Sequence, residues 1–194
     1  MCEMSPEVQQ ACEDHLRAVW DRVWPGWSRH HPGMADTPGR VLRMWEEFSK
    51  PPEVEEILSK RFETVGPPQL IIQTEIPFRG LCEHHLLPFS GKADIGYIPS
   101  PIGDVVGLSK LSRLVKALGA ERPNIQETLT NRIATELYSR LGADGVIVRV
   151  SAEHTCMTVR GVQAPGVQTI TTALRGVFET DPAAKAEFYR MLQR

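Results

Sequence analysis

No apolar run in this 194-residue chain approaches the roughly 18 residues that a membrane-spanning helix needs. Residues 1–7 carry acidic and polar side chains, without the basic-then-apolar pattern of a secretory leader. Cysteine is scarce: four residues are too few for a disulfide scaffold. Neither sign of charge dominates, with 22 Lys and Arg against 24 Asp and Glu. That balance excludes a generic binder of nucleic acid or of membrane surfaces, though not a local basic cluster. Internal repeats and low-complexity segments are also missing. What remains is the composition of a soluble, cytoplasmic protein. At 41% apolar residues the chain can bury a sizeable core, as one domain or as one domain with a helical appendage.

The first fifty residues read as helices. Ser5-Pro6 is an N-cap followed by proline at the first helical position. Val8, Cys12, Leu16, Val19, Trp20 and Val23 follow at helical spacing until Pro25-Gly26 stops the run. Residues 27–36 read as a loop. Thr37-Pro38 starts a second helix in the same way, with Val41, Leu42, Trp45 and Phe48 as its stripe, and Pro51-Pro52 opens a short third one. The character changes at Gly66-Pro67-Pro68. Residues 69–77 and 90–99 read as the strands of a hairpin whose connection carries Cys82-Glu83-His84-His85. Two helices follow, one with Leu108, Leu111, Leu114, Val115 and Leu118 on its apolar face, the next with Ile125, Leu129, Ile133, Leu137 and Leu141 before Gly142. Residues 146–161 and 168–178 read as a second pair of strands, and Asp181-Pro182 caps a last helix. Paired strands alternating with paired helices give an α+β class with an antiparallel sheet.

The chemistry gathers in two stretches. Three of the six histidines lie beside two of the cysteines, in Cys82-Glu83-His84-His85 and His154-Thr155-Cys156. Cys82 and His85 are spaced to turn onto one ion, and Cys156 offers a third donor. Thiolate and imidazole suit Zn²⁺, and three protein ligands leave a fourth position for water, the pattern of a catalytic site. Two buried thiols beside a core histidine is the plainer reading that this spacing leaves open. On the expected strand 146–161, alternation puts His154, Cys156 and Arg160 on one side. His84 and His154 remain as proton-transfer groups, or as supports for the metal ligands. The zinc nucleobase deaminases need His-x-Glu with Pro-Cys-x-x-Cys, and neither is present.

From about Thr37 to Leu192 the sequence resembles GTP cyclohydrolase I. The resemblance rests on Cys-Glu-His-His-Leu-Leu-Pro-Phe from Cys82, Gly-Lys-Ala-Asp-Ile-Gly-Tyr-Ile-Pro from Gly91 and Gly-Leu-Ser-Lys from Gly107. Gln-Glu-Thr-Leu-Thr from Gln126 and His-Thr-Cys-Met-Thr-Val-Arg-Gly-Val from His154 complete it. The change at Gly66 leaves a helical region over residues 1–65, and the resemblance implies a tunnelling-fold catalytic domain over 66–194. It implies assembly into a homodecamer with sites at subunit boundaries, and conversion of GTP and water to 7,8-dihydroneopterin triphosphate and formate. Cys82, His85 and Cys156 match the zinc ligands, and His84 and His154 the catalytic histidines. Gln126 and Glu127 match the readers of the guanine edge. Ser109, Lys110, Arg113 and Arg160 match the ribose and triphosphate contacts, and Arg40 an arginine given by a neighbouring subunit. The chain departs from the usual pattern at Gly80, Thr128, Glu153 and Val167, none of them a ligand or catalytic position. Two other readings are a related tunnelling-fold enzyme of purines or pterins, and a non-catalytic protein stabilised by zinc. Either would tolerate changes in the metal or histidine set that are not found here.

Overall fold

The computed structural model describes residues 4–26, 31–49, 52–63, 66–101 and 104–193. Cys2, the start of the expected loop at 27–30, and Pro51 lie outside them. The chain forms two compact units, Met1–Lys50 and Pro51–Arg194.

In the first unit, α1 (Pro6–Val23) begins as the sequence predicts, with the Ser5 hydroxyl accepting from Val8 N. Its stripe is only half covered: Cys12, Leu16 and Trp20 are half-buried, while Val8, Val19 and Val23 are exposed. The expected loop contains a 3-10 turn, Pro32–Met34. That turn moves the start of α2 (Thr37–Glu47) by one residue. Asp36 is its N-cap, and the Thr37 hydroxyl donates back to Gly33 O instead.

The second unit opens with α3 (Val54–Ser59) and the two-residue β1 (Arg61–Phe62), so both go with the sheet, although the sequence alone draws the division after residue 65. The sheet's long strands are β2 (Ile71–Leu81) and β3 (Pro88–Ile98). After the short β4 (Val105–Val106), which pairs with β1, come α4 (Leu108–Gly119) and α5 (Gln126–Leu141). Then follow β5 (Gly145–His154), the helical turn α6 (Thr155–Thr158), β6 (Thr169–Gly176), the turn α7 (Val177–Thr180) and α8 (Pro182–Leu192). The sheet order is β2-β3-β5-β6, antiparallel throughout. Two helices between two strand pairs, laid on one face of this sheet, are the α+β tunnelling fold.

Alternation along β5 decides the layers. Val146, Val148, Val150 and Ala152 point into the main core with Leu111, Leu114, Leu118, Ile133 and Leu137 of α4 and α5. Ile147, of opposite parity, meets Phe178 and Phe188 on the other face. Leu108 is exposed, at the first turn of α4, and is not part of the apolar face the sequence assigned it to.

The second strand pair is shorter than predicted. β5 stops at His154, opposite Phe89, because its partner β3 begins one residue earlier at Pro88, which has no N–H to give. The Thr155 hydroxyl donates to Pro88 O at 2.6 Å and the chain turns into α6. β6 ends at Gly176, whose φ of +61° turns the chain into the next helical turn. Strand parity therefore does not carry past His154, and Cys156 reaches the site from a helical turn.

Candidate active site

β2 delivers Cys82 to the tip of the first hairpin, where it is 3% exposed. The tip is fixed by its own backbone. Cys82 N donates to Leu87 O, Leu86 N donates to Cys82 O, and Leu86 takes the left-handed φ of +51° that closes the turn. The residues leading into α5 hold it from the side: Asn124 N donates to Leu81 O and Glu83 N to Asn124 O. β5 and α6 bring His154 and Cys156 to the same place. A sulfur of each cysteine and a ring nitrogen of His154 all lie within 4.8 Å of one another. Two thiols and an imidazole at this separation can hold a metal ion.

The other predicted residues are divided. His84 Nδ1 lies 3.7 Å from the Cys82 sulfur. His85 is not in the Cys82–His154–Cys156 group; its Nε2 faces Arg160 Nη1 at 2.7 Å. A guanidinium only donates, so this ring nitrogen accepts. His154 stacks on Phe89, with centroids 4.6 Å apart and planes 2° from parallel, and its Nε2 is 2.8 Å from Gln126 Oε1. Gln126 is fully buried at the start of α5, while Glu127 beside it is exposed in the same first turn.

Burial sets the electrostatics. It pulls the His154 pKa below the ordinary imidazole value; the nearby Glu127 carboxylate opposes the shift and His84 adds to it. The shift favours the neutral imidazole. Burial, followed by the neighbouring Cys82 thiol, holds the Cys156 thiol above its usual range. A bound cation would reverse that direction by favouring the thiolate.

Ser109, Lys110 and Arg113 lie elsewhere. With Lys60, Phe62 and Gly107 they line a cavity of about 340 Å³ that contains three cationic side chains and, among the described residues, no acid. The N-terminal part of α4 is tied to the far end of β2, where Gln73 Nε2 donates to Ser112 Oγ at 3.1 Å. Gln73 stands nine positions before Cys82 on β2, which is roughly 25–30 Å of extended chain. The cationic cavity therefore lies towards the end of β2 opposite Cys82. Arg40 is exposed on α2, 3.5 Å from Asp36 in an i,i+4 pair.

Sequence reasoning missed Phe89, because an aromatic residue inside a strand reads as core. It also missed Lys60, which sits in no motif. The period-two threonines of β6 were the one signal for Thr171, which binds the Gln126 amide.

The family model for GTP cyclohydrolase I matches residues 9–193. GTP cyclohydrolase 1 of Dehalococcoides mccartyi is 46% identical over 188 residues, covering 96% of this chain and 95% of that protein. The Geobacillus kaustophilus protein of the same name is 45% identical over 192 residues (97% and 99%) and that of Bacillus subtilis 42% over 192 (97% and 95%). Among solved structures, an archaeosine synthase QueF-like protein overlaps 57% of this chain and 97% of its own, at 17% identity and a TM-score of 0.46. Escherichia coli dihydroneopterin aldolase overlaps 56% and 99%, at 13% and 0.43. With the family match running over nearly its whole length and these relatives above 40% identity, the chain belongs to the GTP cyclohydrolase I family.

Proposed function

We propose that this protein is a GTP cyclohydrolase I, a hydrolase of cyclic amidine C–N bonds that opens the imidazole ring of GTP. C8 leaves as formate, and the ribose carbons reclose with the freed amine as 7,8-dihydroneopterin triphosphate. The observation that carries this reading is the convergence of Cys82, Cys156 and His154 beside the first turn of α5, in a chain of this family.

The donor set fits zinc, since two thiols and an imidazole are the ligands it prefers. When bound, zinc supplies Lewis-acid polarisation and a water of lowered pKa, about 7. We assign Cys82, His85 and Cys156 as its ligands, with His85 giving up its Arg160 contact. His154, its neutral form favoured by burial, and His84, next to Cys82, then move protons at the guanine ring. Arg160, once released, joins Ser109, Lys110 and Arg113 of another subunit on the triphosphate, with Arg40 from a neighbour. The separation of the cationic cavity from the cysteines supports a site shared between copies, and a homodecamer in the cytoplasm is the proposed form. No helix among the described residues is long and apolar enough to cross a membrane.

Glu127 selects the base. Its exposed carboxylate can accept from both the ring N–H and the amino group of guanine, a pair that adenine does not present together. The test is conversion of GTP, followed by oxidation and detection of fluorescent neopterin. Zinc-loaded protein should convert GTP and leave ATP untouched. Glu127→Gln should lose roughly 10²-fold in kcat/KM. No product from GTP with zinc-loaded protein would overturn the proposal.

A further inference from the structure

Gln126 is 1% exposed, and two main-chain carbonyls beside its side chain fix the orientation of its amide. Its Nε2 lies 3.2 Å from Val150 O, 2.9 Å from Thr169 O and 3.1 Å from Thr171 Oγ1. The first two are main-chain carbonyls and only accept. The third depends on its neighbours. Thr130 Oγ1 lies 2.7 Å from Gln126 O and 2.6 Å from Thr171 Oγ1, and when its single proton goes to the carbonyl it accepts from Thr171. Thr171 has then used its own proton and meets the amide as an acceptor. A flipped amide would set its oxygen against two carbonyl oxygens, so only one orientation satisfies the network. In that orientation Gln126 Oε1 faces His154 Nε2 at 2.8 Å. A carbonyl oxygen cannot donate, so Nε2 must carry the proton.

We infer that Gln126 is a positioning residue that holds the His154 ring as its Nε2–H tautomer, leaving Nδ1 as the nitrogen with a free lone pair. This deepens, and rests on, the reading of His154 as a proton-transfer group. Phe89, stacked flat on the ring, restrains its plane, and Gln126 decides which nitrogen lies on which side. Two roles then separate at the start of α5. The amide N–H groups of Gln126 are engaged with the sheet, so its side chain is not the reader of guanine that the resemblance implies. Base selection falls to Glu127.

The test uses purified, zinc-loaded protein carrying ring-labelled ¹⁵N-histidine, observed by solid-state NMR at pH 8. The His154 signals are identified by their loss in His154→Gln. The wild type should show Nε2 protonated and Nδ1 unprotonated, and a protonated Nδ1 with a bare Nε2 overturns the inference. Gln126→Met keeps the volume and removes the amide. It should give a mixture of tautomers and lower kcat for GTP on the order of 10²-fold, with KM held within about threefold. A raised KM with unchanged kcat would make Gln126 a base reader and sink the inference. If Gln126→Met does not fold, the wild-type spectrum still decides. If the wild type fails to act on GTP, the functional reading falls, and the spectrum tests the Gln126 contact separately.

Discussion

His154 answers to three neighbours at once: the Phe89 face, the Gln126 amide and the two thiols. Its place among the sulfurs makes the choice of imidazole ligand measurable. Cys156→Ser and His85→Ala should each lose zinc while keeping the fold. His154→Ala should keep about one zinc per chain and lose on the order of 10²-fold in turnover. Metal content of the three variants by elemental analysis checks this, and zinc lost from His154→Ala but retained in His85→Ala would exchange the two roles. The lowered pKa gives a second expectation, for metal-free protein. Near and below the ordinary value of about 6.5 the folded chain binds fewer protons at His154 than the unfolded chain. The stabilising effect of a neutral His154 is therefore whole above that pH and is lost as pH falls through it towards the folded pKa. Urea midpoints at pH 8 and 5.5 should fall further for wild type than for His154→Gln, and equal falls would contradict it. Cys82, His154 and Cys156 were legible in the sequence because donors of that softness are rare in this chain. The grip on Gln126 was not, since its partners Val150 and Thr169 are 24 and 43 residues away and meet it only through strand pairing.

At the scale of elements, the site depends on how closely β3 and β5 lie. Gly91 pairs with Ala152, two residues before Phe89 meets His154. A Cβ at Gly91 would stand 2.0 Å from Ser151 O and 2.7 Å from the Ala152 Cβ, so backbone has to move. Gly91→Ala should destabilise by about 1–3 kcal/mol and lower turnover by shifting the Phe89–His154 stack. Urea denaturation with a parallel activity assay checks both, and an unchanged midpoint would remove the packing argument. Gly80, a departure from the family's usual serine, has a similar account: a Cβ there would meet the Phe89 ring at 2.6 Å. The departure at Glu153 is used locally, its carboxylate accepting from Gly166 N. Nothing in the structure explains Thr128. The helices and their caps at Ser5 and Asp181 were legible because capping is local chemistry. The end of β5 was not, because it is set by where Pro88 starts a different strand.

At the scale of the whole molecule, a single chain keeps Cys82 and the cationic cavity of Lys60, Lys110 and Arg113 towards opposite ends of β2. The sequence shows both groups but not their separation, which depends on the direction α4 takes along the sheet. A shared site predicts complementation. Arg40→Ala and Glu127→Gln proteins, each weak alone, should regain part of their activity after subunit exchange, since mixed assemblies contain some sites with both residues intact. A mixture no more active than its parents, with exchange confirmed, counts against sharing. The central claim is that the residues around Cys82, His154 and Cys156 remove C8 from GTP. It is tested most directly with GTP carrying ¹⁴C at C8, incubated with zinc-loaded protein. The label should appear as formate, one per pterin formed, while ¹⁴C placed at C2 stays with the pterin. C8 label that remains in the nucleotide, or in the pterin product, would contradict the account.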